Sequence, residues 1–267
     1  MKSTRLAKKV RLNCLDMVYN SKASHVGSAL SVVDIITVLY NDIIKVFPNN
    51  PNDSSRDRFI LSKGHATVAL YSLLAEVGFI DKNILSKYGS DGSILMNHVH
   101  HKVPGVEYST GSLGHGLPFG VGKALAAKRK NESWNTYVLL SDGEMQEGSN
   151  WEALMFAAHH KLDNIIAIID YNKLQSLTTV NKTLTLEPLS SKLSSFGWHV
   201  YEVDGHNHES LKNTFNNAKI LKGSPKVIIA NTLKGKGVSY MENKIEWHYK
   251  SPNEKEYLMA IKEINNA

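Results

Sequence analysis

The order of apolar segments predicts an α/β chain, a doubly wound and mainly parallel sheet with helices on both faces, built as one domain over residues 1–267. Short apolar runs alternate with helix-period stretches along the whole chain, and no internal repeat or low-complexity segment interrupts them. The clearest unit spans residues 137–172. The apolar run 137–140 leads into Asp142-Gly143; Trp151, Leu154, Met155 and Ala158 then recur at three- and four-residue steps; the run 165–169 ends in Asp170-Tyr171-Asn172. A strand, helix, strand sequence of this kind is a crossover, so its strands are parallel and end on the same edge. Asp142 and Asn172 therefore converge at the edge where open α/β sheets bind their ligands.

The other elements follow in order. Residues 3–20 read as an amphipathic helix with Leu6, Val10, Cys14 and Met17 on one stripe. A loop holding His25 precedes a second helix, 31–44, whose Val33, Ile36, Val38, Leu39 and Ile43 are apolar. A polar turn with Pro48 and Pro51 leads to a short strand, 58–61, which ends in Ser62-Lys63-Gly64-His65 and runs directly into a helix carrying Val68, Leu70, Leu73 and Leu74. Helix N-terminal amides at such a turn favour anions, and His65 can donate to a phosphate oxygen. The loop 97–105 contains His98, His100 and His101. No Cys or Glu completes a zinc set, and in an extended segment His100 and His101 would point to opposite faces. The glycine-rich loop 109–116 frees the backbone to approach a flat ligand and is followed by a helix, 117–129.

Beyond the central unit come a helix at 187–196, a strand at 198–203, a helix at 209–221 and a strand at 226–231. Asp204-Gly205-His206 reads as a helix-entry loop, not a second metal site. Lys234-Gly-Lys-Gly237 lacks the rest of a P-loop, so nucleotide binding is not expected. Glu246-Trp247-His248 precedes a last helix, 253–264.

Composition narrows the function classes. The chain is 42% hydrophobic and 21% charged, ordinary for a globular protein. The formal charge of +6 is spread along the chain without a basic–aromatic patch, which argues against nucleic acid and reads as attraction for phosphorylated small molecules or as general surface charge. No uninterrupted apolar run reaches the roughly 18 residues of a membrane span, and the N-terminal segment lacks the apolar core of a signal peptide. The single cysteine, Cys14, reads as a core residue and fits a reducing, cytoplasmic setting.

Asp142 and Asn172 offer hard oxygens suited to Mg²⁺ or Ca²⁺, and Gly143 lets the backbone come close to a ligand. Two protein oxygens leave a six-coordinate shell open, and cofactor phosphates are the usual completion. A strand-end turn at Asp142-Gly143 with a cap at Asn172 explains the same spacing, and spacing alone leaves both readings open.

Asp142-Gly143 followed by Asn172 resembles the thiamine-diphosphate fingerprint, Gly-Asp-Gly and a later Asn, with Ser141 replacing the first Gly. The run 142–148 with Trp151-Glu152-Ala153 resembles transketolases in particular. The likeness runs from about His25 to His248 and covers only that family's diphosphate-binding domain. It implies the N-terminal subunit of a split transketolase, moving a two-carbon ketol unit from a ketose, phosphorylated or not, to an aldose. The cofactors implied are thiamine diphosphate and Mg²⁺ (or Ca²⁺).

The resemblance assigns the metal to Asp142, Asn172 and the backbone carbonyl of Leu174. It assigns the cofactor to His65, Gly111, Leu113, Asp142, Gly143, Glu144, Asn172 and His248. His25, His98 and His248 become the catalytic residues, orienting donor hydroxyls and moving protons at neutral pH. Glu147 falls where the family has a contact between catalytic subunits, although a first-turn acid favoured by the helix dipole explains it equally. The chain departs from the family pattern at Ser112 (Pro), His115 (Gln) and Tyr249 (Gly).

The glutamate that protonates the cofactor's pyrimidine lies, in this family, in a separate pyrimidine-binding domain. The resemblance thus implies a partner chain, a 2+2 heterotetramer, and no activity without the partner. The edge meeting the partner should include Leu113, the 147–151 segment and the His98 loop. Two alternatives are a related ketol or acyl transferase of a specialised sugar pathway and a non-catalytic protein-binding domain. The intact set Asp142, Asn172, His25, His65, His98 and His248 argues against the latter.

Overall fold

The structure is a computed structural model and describes residues 2–266. Strands β1 (Arg58–Leu61), β2 (Thr136–Ser141), β3 (Ile165–Tyr171), β4 (His199–Asp204) and β5 (Lys226–Asn231) form one sheet in the order β1-β2-β3-β5-β4. Every neighbouring pair is parallel. Leu139 is level with Ile168, and Ile168 with Ile228. The inner strands β2, β3 and β5 read as near-continuous apolar runs because both faces are covered, whereas the edge strand β4 alternates and is largely exposed. Tyr137, Leu139, Ile166, Ile168 and Ile228 enter one core; Val138, Leu140, Ile165, Ala167, Ile169, Val227 and Ile229 enter the other.

The first face carries α1 (Ser3–Ser21), α2 (Val26–Val38), α3 (Thr67–Glu76), α8 (His208–Ile220) and α9 (Glu254–Asn266). The second carries α4 (Gly116–Arg129), α5 (Gly148–His159) and α7 (Leu189–Ser195), with α6 (Val180–Thr183) a single turn nearby. This is the doubly wound arrangement that the alternation of elements predicts.

All 13 residues of α2 are buried, so it has no solvent stripe and forms the middle of the first core. With the π-helical turn Leu39–Ile43 it is the one stretch among the described residues long and apolar enough to cross a membrane, and 89% of it is buried within the fold. Its polar side chains are satisfied internally. Asp34 receives both Arg11 guanidinium nitrogens (3.0 and 2.5 Å), His206 Nδ1 (2.8 Å) and His208 Nε2 (3.0 Å), which ties α1, α2 and the β4–α8 loop together. Burial alone would raise the Asp34 carboxyl; these donors hold it far below the usual range. Asn207 caps α8, accepting from the Ser210 N–H at 3.0 Å, so residues 204–206 are the expected helix-entry loop.

Three local expectations are corrected. Helix α2 begins at Val26, not Ser31. The chain turns at His25, which adopts φ 73° and donates its N–H to the His248 carbonyl at 2.8 Å, so the helix starts at once. In α5 the buried face is Asn150, Ala153, Leu154 and Ala157, while Met155 is 55% exposed. Asn150 is buried because its amide donates to the Glu144 carbonyl at 2.7 Å, a reason that an apolar-period reading does not see. His100 and His101 stack at 4.9 Å instead of diverging, because the segment turns there and is not extended. Among the described residues no group of three His, Cys, Asp or Glu is placed to hold a metal by side chains alone.

Candidate cofactor and active site

The C-terminal ends of β1, β2 and β3 open into one cleft of about 270 Å³. His25, His65, His98, Gly111, Leu113, Asp142, Gly143, Asn172, Leu174 and His248 all line it. The floor is rigid. Asp142 is 1% exposed and accepts from the Gly143 N–H (2.7 Å) and the Lys173 N–H (2.5 Å). Asn172 Oδ1 accepts from the Leu174 N–H at 3.0 Å, and Lys173 between them takes φ 66°, so the loop folds back over the end of β3. Burial, and then the neighbouring Asp170, push the Asp142 carboxyl up to about 7. Here a buried acid lacks a cation of its own, which suits a divalent ion.

Glu144, expected on the cofactor, does not line the cleft. Its carboxylate is fully buried and accepts from the Ser62 hydroxyl, the Gly114 N–H (3.0 Å) and the Ser141 N–H (3.2 Å). It joins the ends of β1 and β2 to the glycine-rich loop. Gly114 has φ 82°, and a Cβ there would fall 2.6 Å from Ser149 Oγ, so only glycine fits this joint.

His25 lies at the centre of a histidine group, its ring 5.3 Å from that of His65, 5.8 Å from His98 and 5.0 Å from His248. Burial lowers all four. His25 is brought down to about 4 by burial, then by His98 and two lysines; His248 to about 3 by burial, then by Lys234 and His25. His65 is driven well below its usual value by burial and then Lys63, and His98 is lowered by burial. At pH 7 the free cleft therefore presents neutral imidazoles. In the free cleft these rings serve as hydrogen-bond donors and acceptors, and as neutral imidazoles they can also accept a proton.

Several functional residues escaped the sequence reading. Lys63, 1% exposed, pairs with Asp170 at 2.5 Å, and Asp170 also accepts from Ser31 Oγ (2.5 Å), Asn172 Nδ2 (3.2 Å) and the Thr232 hydroxyl. Burial alone would raise Asp170; Lys63 and the hydroxyls hold it below the usual range. Lys234, also 1% exposed, reaches the Gln175 carbonyl (2.9 Å), the Leu174 carbonyl (3.5 Å) and His248 Nδ1 (3.0 Å). With the ammonium donating, Nδ1 accepts and His248 presents its Nε2–H to the cleft. Burial and then Lys63 lower Lys234 to about 8. Gln175 packs 3.1–3.2 Å from the position a Gly143 Cβ would take, and its buried Nε2 has no partner among the described residues. The one available signal for Lys234 was a lysine that opens a Lys-Gly-Lys-Gly run shortly after a strand end; the pairing of Lys63 with Asp170 joins residues far apart in sequence and carried none.

The geometry defines a polar cleft at a parallel sheet edge, and comparison with known proteins gives it a family. Residues 2–264 match the family model described as transketolase, thiamine diphosphate binding domain. The chain belongs to the transketolase family, as a thiamine diphosphate binding domain and split N-terminal subunit. It is 43% identical over 259 residues to an apulose-4-phosphate transketolase subunit of Phocaeicola vulgatus, covering 97% of this chain and 92% of that one. It is 38% identical over 256 residues to the 6-deoxy-6-sulfo-D-fructose transketolase subunit SqwG of a Clostridium species, covering 96% and 93%. The crystal structure of transketolase from Campylobacter jejuni superposes with a TM-score of 0.93 at 31% identity, covering 98% of this chain and 42% of that one. The chain thus spans about two fifths of the solved transketolase chains it matches.

Proposed function

We propose that this chain is the diphosphate- and metal-binding subunit of a two-component transketolase that transfers a two-carbon ketol unit from a phosphorylated ketose to an aldose. The observation that carries the reading is the convergence of Asp142, Asn172 and Leu174 with four histidines and the buried Lys63 in one cleft, with Lys234 bonded to Leu174 and His248 behind them. The likeness to proteins named as transketolase subunits, along nearly their whole length, supports it.

The residues fit thiamine diphosphate with Mg²⁺ (or Ca²⁺). Asp142, Asn172 and the Leu174 carbonyl would hold the ion, and diphosphate oxygens would complete its shell. His65, His248 and the unpaired Gln175 amide are the donors for an anionic group, and Lys234 sets the tautomer of His248 from behind. When bound, the cofactor supplies a carbanion at its thiazolium carbon. This chain's share is positioning: Asp142 neutralises the ion, the Asn172 loop fixes it, and His25, His98 and His248 orient sugar hydroxyls and accept or donate their protons. Gly111 and Leu113 border the space left for the ring system.

At about 270 Å³ the cleft falls at the small end of ligand pockets, roughly 300–1,000 Å³, which suits half of a site. The other half is a pyrimidine-binding partner chain, assembled as a 2+2 heterotetramer in the cytoplasm. Leu113, half-buried, and Glu147, His98 and Met155, all exposed, lie on the surface the partner would meet. A specialised sugar pathway is the second reading, favoured by Ser112, His115 and Tyr249 and by relatives named for apulose-4-phosphate and sulfofructose. Purified chain and partner, mixed with Mg²⁺ and thiamine diphosphate, should release aldose from a ketose phosphate. A mixture that binds the cofactor yet moves no ketol unit from any ketose phosphate would refute the transfer reading.

A further inference from the structure

We propose that Tyr249 determines sugar specificity: its ring is the outer wall of the cleft, against which the acceptor's carbon chain lies, and it limits how long that chain can be. This inference rests on the ketol-transfer reading.

The ring lies 4.7 Å from that of His248 and 6.1 Å from that of His25, and it lines the cleft although 58% exposed. A single exposed aromatic needs no explanation. This one is held in place from both sides. Trp247 is 1% exposed, donates Nε1–H to the Tyr240 carbonyl at 3.1 Å and packs against Gly27. Lys250 lies 4.4 Å over the Trp247 ring and pairs with Glu256 at 2.5 Å. The His248 carbonyl is bonded to His25, and its ring to Lys234. The Tyr249 N–H donates to the Glu246 carbonyl at 3.2 Å. Its backbone is therefore pinned, and the ring stands as a wall, not as the tip of a mobile loop.

The chemistry of the two ends of the cleft differs. The floor, with Lys63, Lys234, Asp142 and Asn172 buried, suits charge. The mouth beside His25 and His248 presents an aromatic face and a phenol whose hydroxyl makes no hydrogen bond to the described residues. Sugars match that pairing, with C–H faces for the ring and hydroxyls for the phenol. Carbons beyond the reacting end leave the cleft past Tyr249.

The test uses the complex with its partner. kcat/KM is measured for a three-carbon and a five-carbon aldose phosphate in the wild type, Tyr249→Phe and Tyr249→Ala, alongside calorimetric titration of thiamine diphosphate and of the partner chain. Tyr249→Ala should shift the ratio by about tenfold or more toward the five-carbon acceptor, the scale of a changed apolar contact in a specificity pocket. Tyr249→Phe should hold it within about threefold, with cofactor and partner affinities unchanged in both. An unchanged ratio in Tyr249→Ala, or an equal loss on both acceptors with weakened partner binding, would overturn the assignment and make Tyr249 an interface residue. A wild-type complex without ketol transfer is a distinct result: it removes the underlying reading, and this inference with it.

Discussion

The floor and the rim of the cleft are built on different physical terms. The floor sits on strand ends: Lys63, Asp142, Asp170, Asn172 and Lys234 are all buried, and each is bonded to at least one neighbour. The rim sits on loops: His98, His115, Ser112 and Tyr249 are exposed, and Leu113 is half covered. A preorganised floor can hold a charged group without rearranging, whereas an open rim leaves room for a second surface. The proposed function divides along the same line: the ion and diphosphate would sit on the floor, and a partner would complete the site over the rim.

The largest effect should come from the floor's hidden ion pair. Asp170→Ala leaves Lys63 buried and uncompensated, a change that typically costs about 3–5 kcal/mol. Urea unfolding measures it, and a loss below about 1 kcal/mol would show the floor to be far less dependent on this pair than the contrast requires.

Asp142→Ala should spare the fold and abolish metal-dependent cofactor binding, with a loss of about a hundredfold or more. Titration with thiamine diphosphate in the presence and absence of Mg²⁺ reads this out. Undiminished affinity in the variant would remove the ion from this site.

His65→Ala and His248→Ala each delete a donor facing the proposed diphosphate and should weaken the cofactor by roughly ten- to a hundredfold, about 1.5–3 kcal/mol. His98→Ala, on the rim, should instead lower turnover in the assembled enzyme while cofactor affinity stays within about threefold. If His98→Ala behaves like the floor variants, the division between the two regions is misplaced.

The smallest effect is on stability with pH. In the unfolded chain histidine titrates near 6.5. In the fold His25 lies at about 4 and His248 at about 3. Through these two histidines the unfolded chain binds more protons between those values and 6.5, so their contribution is full above about 6.5 and is lost as the pH falls toward 4 and 3, while Asp142, raised to about 7, acts in the opposite sense and partly offsets it. Tm should drop by several degrees from pH 7.5 to 5, and less steeply in His248→Asn. Identical slopes in the two proteins would show that His248 is not held neutral.

The inner strands were legible because each is a largely apolar run ending in a polar turn, and the run 226–231 matches β5 residue for residue. The convergence of Asp142 and Asn172 was legible for a related reason: both lie just beyond strand ends, so topology brings them together. Lys63, Asp170 and Lys234 were not, since a buried charge is stable only through partners that sequence does not show, here 107 residues apart for the first pair. Glu144 was placed on the cofactor from its neighbours in the motif; its bonds to Ser62 and Gly114 bring together three separate segments that only the fold assembles. The α5 register failed at Met155 for a related reason, because one buried asparagine, Asn150, rotates the packed face.

The central claim is that this chain supplies the ion- and diphosphate-binding half of a shared site. The most direct test is ketol transfer from a ketose phosphate to an aldose by the chain alone, by the pyrimidine-domain partner alone, and by the two mixed, each with Mg²⁺ and thiamine diphosphate. The account predicts turnover only in the mixture, in a complex of two copies of each chain by light scattering, and none when the mixture contains Asp142→Ala. Full turnover by this chain without a partner, or an active mixture that tolerates Asp142→Ala, would contradict it.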